Sequence, residues 1–297
     1  MSISFKFTRL VLPTLLFGVV AADQASAQTA AAPLSVKVYN ADAGSFHVNA
    51  VVVSGKTEAV VIDSGFTRAD ALRVAANVLD SGKTLKTIFI SNADPDFYFG
   101  AEALHEMFPQ AKVLTTPAVR EKIQAKLAGK LAFWGPKMGA NAPKQPVVPE
   151  ALGGNTLSVD GETIEIRGTT GELAARPYVW IPSIKAIVGN IAVFGNLHVW
   201  TADTQKPSER QAWLAQLDEM QALKPLMVVP GHSAAGTVLD ESAIAYTRDY
   251  LKRFEAELPK AQNAAELIAT MQKAYPKAGL GMALDIGAKV NKGEMKW

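Results

Sequence analysis

Apolar residues fall into short blocks along this chain, and the blocks switch between two periods. Residues 35–39, 46–54 and 58–63 read as strands rich in Val and Ile, with the turn-forming pair Gly55-Lys56 before the third. Residues 68–79 change to helical spacing, with Leu72, Ala75, Ala76 and Leu79 on one face. A strand over 86–91, a short helix over 101–107, a strand over 112–115 and a helix over 118–131 follow. Residues 133–149 mix Pro and Gly with Trp134 and predict a long irregular loop, of the kind that serves as a lid or binding surface. A second strand-rich part covers 156–159, 162–167, 178–182 and 186–193, and Asp160-Gly161 signals a tight hairpin between its first two strands. Helix 208–223, strand 226–229, helix 240–257 and two more helical stretches complete the chain. This order predicts an α/β fold of four layers (αββα), two mixed sheets face to face with helices outside.

The first residues change the picture. Lys6 and Arg9 precede an apolar run over 10–22, and Ala25-Ser26-Ala27 offers a small-residue cleavage site. Residues 1–27 are therefore expected to be a signal peptide. The apolar run is too short to span a bilayer comfortably. The expected product is an exported, periplasmic or secreted single domain over 28–297, with no stable membrane anchor after cleavage near Ala27.

Composition then removes several chemistries. The chain has no cysteine, which excludes disulfides, thiolate ligands and a Cys nucleophile. Its formal charge is +2, and it drops to +1 once Lys6, Arg9 and Asp23 leave with the leader. Without a Lys/Arg cluster, that near-neutral balance argues against a nucleic-acid partner.

The most informative stretch follows the apolar run at 87–90: Asn92-Ala-Asp94-Pro-Asp96-Phe97, with Gly100 shortly after. It lies at the end of a predicted buried strand, where sites in layered α/β folds gather. Taken alone, Asn-x-Asp-Pro-Asp is a turn whose side chains cap local backbone. Far downstream, Pro230-Gly231-His232 follows another apolar strand.

Together these segments resemble the metallo-β-lactamase superfamily, whose metal-binding loop reads His-x-His-x-Asp-His and is followed closely by a Gly. On that resemblance Asn92, Asp94 and Phe97 stand at the histidine positions and Asp96 at the aspartate. Asp63, ending the third strand, matches the residue that supports the metal loop from behind. The third family position falls at Gly168-Thr169-Thr170, the metal-bridging aspartate at Asn190, and the last histidine at His232. The texts Trp180-Ile-Pro-Ser-Ile-Lys185 and Leu197-His198-Val-Trp200 resemble an exported, hydrolase-like branch. The resemblance implies the αββα sandwich and a cleft near Asp63, Asp94, Asp96, Asn190 and His232. Phe97 and Thr169 are expected in its wall.

Only four histidines occur in the chain, and only His232 takes a matching position, so a dinuclear zinc centre is not expected. Asp94, Asp96 and His232, joined by the amide oxygens of Asn92 or Asn190, would suit one Mn²⁺, Fe²⁺, Mg²⁺ or Ca²⁺ better. Such a site would hydrolyse an ester, lactone or amide. Without a metal, His232 could serve as general base with Asp96 orienting it. A silent relative that binds a small molecule, or a module that docks a protein through 133–149, are the alternatives. Two carboxylates this close demand that a cation sit between them, or that one carboxyl be protonated or turned outward.

His198 is expected to be packed, and His47 and His105 to face solvent.

Overall fold

The computed structural model describes residues 1–6, 8 and 34–297. The expected leader's apolar run and its cleavage site lie outside the described residues.

Strands β1 (Ser35–Asn40), β2 (Asn49–Ser54) and β3 (Glu58–Ile62) pair antiparallel. Helix α1 (Arg68–Ser81) returns the chain to β4 (Thr84–Ile90), which lies parallel to β3. Two short helices, α2 (Pro95–Tyr98) and α3 (Ala101–Met107), lead to β5 (Lys112–Thr115). Helix α4 (Pro117–Met138) and β6 (Glu150–Ala151) complete a six-stranded sheet in chain order.

The second sheet is built from β7 (Thr156–Val159), β8 (Glu162–Arg167), β9 (Tyr178–Ile181) and β10 (Ala186–Val188). Beyond the two-residue strand β11 (Phe194–Gly195) and helix α5 (Pro207–Ala222), β12 (Met227–Val228) joins that sheet parallel to β10. A further two-residue strand, β13 (His232–Ser233), pairs with β11. Helices α6 (Ser242–Glu257), α7 (Ala264–Ala274) and α8 (Gly281–Asn291) close the chain. Ala32–Trp297 form one unit.

Strand period 2 sorts the side chains between cores. In β2 and β3, Val51, Val53, Val60 and Ile62 face the other sheet and meet Ile164, Ile166, Val179 and Val188. Ala50, Val52, Ala59 and Val61 point the opposite way, under α1, α3 and α4. Trp213, Tyr250, Leu267 and Leu284 bring α5 to α8 onto the second sheet. Strands buried on both faces read as continuous apolar runs, as these do. The four-layer sandwich expected from the sequence is the observed fold.

Local chemistry sets the boundaries. Thr67 and Asp70 form a reciprocal capping box on α1, and Gly82 ends the helix in the left-handed region. Asp160 and Gly161 both have positive φ, 50° and 85°, which is the type I′ turn that Asp-Gly favours. The run 186–193 is broken after Val188, because Gly189 turns with φ +52° against Ile62, where a side chain would collide.

The segment 133–149 departs from expectation. Its first residues are not loop: α4 runs through Pro136 to Met138. A proline inside a helix forfeits one hydrogen bond and costs about 3 kcal/mol. Trp134 offsets part of that by packing edge-on against Phe46 and Phe66, at 5.5 and 5.2 Å between ring centroids. His47 also differs, since β2 starts only at Asn49 and His47 sits in a left-handed turn, half-buried. His198 is packed as expected, with Nδ1 3.0 Å from the Tyr250 hydroxyl.

Candidate active site

Four turns meet at one end of the sandwich, each leaving the C-terminal end of a strand: after β3, β4, β10 and β12. Asp63 ends the first with φ 62°, a costly conformation for a residue with a Cβ. Its carboxylate accepts from the Ser91 amide at 2.7 Å and the Ser91 hydroxyl at 2.8 Å, tying that turn to the next. Burial pushes its pKa up to about 7 against the lowering effect of those two bonds.

In the second turn Asn92 Oδ1 accepts from the Asp94 amide at 2.9 Å. Asp94 meets Lys130 Nζ of α4 at 2.6 Å, and the same ammonium reaches the Ala93 carbonyl at 3.3 Å. Burial, the largest single effect, would raise the Asp94 carboxyl, but the Lys130 charge and hydrogen bond, with the charges of Arg176 and Lys126, together outweigh it and hold the group below the ordinary carboxylate range.

Asp96, two residues on, has no such partner. Burial first, and the Asp94 charge second, push it up to about 8. Its Oδ2 lies 3.4 Å from His232 Nε2.

His232 comes from the Pro-Gly-His turn. Gly231 is required there, because a Cβ would fall 2.0 Å from the Asn190 carbonyl oxygen. Nδ1 of the imidazole is 3.0 Å from the Phe46 carbonyl, which can only accept, so Nδ1 carries the proton and Nε2 faces Asp96 with its lone pair. Phe194 stacks on the ring at 5.2 Å and Phe97 meets it edge-on at 5.4 Å. Burial lowers the imidazole pKa to about 4, more than the Phe46 carbonyl restores. At neutral pH the pair is therefore a carboxylic acid facing a neutral imidazole at 3.4 Å.

These groups floor a cavity of about 380 Å³. Asp94, Asp96, Lys130 and His232 are its ionisable residues, and Phe46, Trp134, Phe194, Trp200 and Trp297 supply aromatic wall.

Not all of the expected site residues reach it. Phe97 is fully buried behind His232 against Ala41, Val48 and Ile191, and it does not line the cavity. Thr169 sits half-exposed in the turn after β8 and lines neither this cavity nor a smaller one beside it; Ala175 and Arg176 of the same connection line the smaller one. Asn190 is buried, with Oδ1 accepting from the Val193 amide at 2.8 Å and Nδ2 donating to the Val229 carbonyl at 3.1 Å. It braces its loop against the end of β12.

The oxygen-rich ligand set of Asn92, Asp94, Asp96, Asn190 and His232 is consequently not assembled. Both asparagine oxygens already hold backbone amides, and Asp94 holds an ammonium. Among the described residues no group of three or more His, Cys, Asp or Glu is placed to hold a metal ion. Asp96 and His232 alone are too few donors for the usual zinc geometry. The residues present do not fit a metal centre, and no step is derived through one.

Lys130, the aromatic wall and Arg176 could not be singled out from sequence. Lys130 lies in an ordinary-looking amphipathic helix, and Trp297 lies 65 residues beyond His232.

The family model for the metallo-β-lactamase superfamily matches residues 43–232, nearly two thirds of the chain. The chain belongs to the metallo-β-lactamase superfamily. No match is found among curated proteins. Solved structures agree on the fold. A metallo-β-lactamase family protein from Thermus thermophilus superposes with TM-score 0.62 at 16% identity, over 88% of this chain and 93% of that one. A metallo-β-lactamase from Pontibacter korlensis gives 0.53 at 18%, over 74% and 95%. The DIM-1 metallo-β-lactamase gives 0.54 at 17%, over 74% and 93%. Metal binding is general in the superfamily.

Proposed function

We propose that this superfamily member holds a small, largely apolar molecule over the Asp94–Asp96–His232 floor, with Lys130 taking the place of a metal's positive charge. The observation that carries this reading is the cavity itself. Ligand sites are concave spaces of roughly 300–1,000 Å³, mostly apolar, with a few convergent polar groups. A volume of about 380 Å³ with aromatic walls and four ionisable residues meets that description. Calorimetric titration with 1-octanol tests it: saturable binding that weakens in Trp134→Ala is expected, and absence of binding would overturn the reading.

Metal-free hydrolysis of an ester or lactone is the second reading, favoured by the Asp96–His232 contact at 3.4 Å. Perturbed pKa values at a cavity floor mark candidate acid–base groups. The protonated Asp96 would give its proton to the leaving oxygen, and His232 Nε2 would accept one from the attacking water. Turnover of p-nitrophenyl octanoate that is insensitive to chelators, falls above about pH 8 and vanishes in Asp96→Asn supports it. No turnover sinks it and leaves the binding reading intact.

Export to the periplasm or medium is proposed on the leader-like text of residues 1–27 alone, and a mature N-terminus at Gln28 in the exported protein is its test.

A further inference from the structure

Charge does not balance on the floor of the large cavity. Two carboxylates, Asp94 and Asp96, line it with one ammonium, Lys130, and with His232, which burial keeps neutral. Lys130 lies 2.6 Å from Asp94, so that pair cancels. Asp96 is 6% exposed and lines the cavity, and among the described residues it forms no ion pair with a lysine or arginine. Burial first and the Asp94 charge second push it up to about 8, against the weaker pull of Lys130. A buried carboxylate so placed favours its neutral form until a cation reaches it.

The walls suit a particular kind of cation. Phe46, Phe133, Trp134, Phe194, Trp200 and Trp297 surround that floor. The face of an aromatic ring attracts an ammonium, tryptophan most strongly, and the attraction grows where water is excluded. The rim already holds one ammonium in this way, since Lys137 Nζ lies 3.5 Å from the centre of the Phe133 ring. Asp203 accepts from both indoles of the wall, Trp200 Nε1 at 2.6 Å and Trp297 Nε1 at 3.0 Å, with Lys126 3.9 Å from the same carboxylate. A carboxylate behind an indole N–H polarises the ring and makes its face more electron-rich. An organic cation, whose charge is wrapped in methyl or methylene groups, gains from these walls and from the floor together. A cavity of about 380 Å³ has room for its apolar body as well.

We infer that the cavity takes an organic cation, a tertiary or quaternary ammonium on an apolar body, with Asp96 as its counter-charge and the tryptophans around it. The inference rests on the larger cavity being a ligand site, and it names the class of molecule held there.

Octyltrimethylammonium, 1-octanol and octanoate, each titrated calorimetrically into the full chain at pH 8.5, above the Asp96 midpoint, separate the two ideas. A cation held by ring faces and one carboxylate is expected to bind about tenfold or more tightly than the alcohol. Two substitutions should move that ratio in opposite directions. Asp96→Asn removes the counter-charge and should cut it several-fold. Lys130→Gln frees the Asp94 carboxylate for the ligand and should raise it several-fold, whereas a general loosening of the site would move both variants the same way. If Asp96→Asn does not fold, Lys130→Gln decides, and a ratio that fails to rise overturns the inference. Equal affinities for cation and alcohol in the natural chain, an undiminished ratio in Asp96→Asn, or octanoate bound most tightly overturn the organic-cation site and leave the cavity reading standing. Binding of none of the three probes overturns the cavity reading, and the organic-cation site with it.

Discussion

Asp94 and Asp96 are the same side chain, two residues apart, on one short turn, yet they meet opposite fates. Asp94 reaches across to α4 and finds an ammonium at 2.6 Å, so it stays ionised. Asp96 is left with a neutral imidazole and a nearby negative charge, so its pKa climbs to about 8. Which partner each carboxylate finds, rather than the motif both belong to, sets its chemistry.

Removing Lys130 is the strongest way to break that contrast. Lys130→Ala leaves Asp94 charged beside Asp96 without a cation. A fully buried pair broken in this way loses about 3–5 kcal/mol. Both side chains here are about a quarter exposed, so a loss of about 2 kcal/mol in urea unfolding is expected. Asp94→Asn in the same chain should recover most of it, which a double-mutant cycle measures.

Next in size is the pH dependence. A carboxyl whose folded pKa is raised binds its proton more tightly when folded. Asp96 therefore stabilises the fold least at high pH, and its contribution is lost from about 3.8 up to about 8. His232 works the other way: its folded pKa is lowered to about 4, so stability falls as pH drops from 6.5 toward 4. The two oppose each other in that lower window. Above pH 6.5 the imidazole is neutral in both states, and Asp96, with Asp63 up to about pH 7, is left to lower stability. Thermal unfolding should show a decline between pH 6.5 and 8 of at most about 2 kcal/mol, and Asp96→Asn should flatten most of it.

Smaller still is the wall. Trp134→Ala removes three aromatic pairs, with Phe46, Phe66 and Phe133, each worth about 0.5–1.5 kcal/mol. Octanol affinity should fall several-fold by calorimetry. At the end of the scale, Thr169→Ala should change neither stability, beyond about 0.5 kcal/mol, nor binding, because the residue lines neither cavity. A marked effect there would mean that the turn after β8 does contact the ligand.

Much of this architecture is legible in the amino-acid text because its physics is local. The apolar runs of β2 to β4, the Thr67–Asp70 cap and the Asp160-Gly161 turn all act between neighbours in sequence. The approach of Asp63 to Ser91 spans more of the chain but follows from the strand order, since adjacent parallel strands end side by side. The floor of the cavity is legible in place but not in chemistry. Asp96 and His232 meet, 136 residues apart, because both end strands that face one edge. Lys130 gives no signal of its own, because a lysine on a helix is ordinarily solvated and only the tertiary path of α4 brings it to Asp94. Pro136 misleads for a similar reason: the proline signals a helix end, while Trp134, packing on Phe46 and Phe66, keeps the helix going past it.

Lys130 carries one more implication. A side-chain ammonium arrives with the polypeptide itself, whereas an inorganic ion must be captured, retained and defended against scavengers. A fold so equipped completes its floor as it forms, whatever trace elements surround it, and stripping agents should leave it untouched.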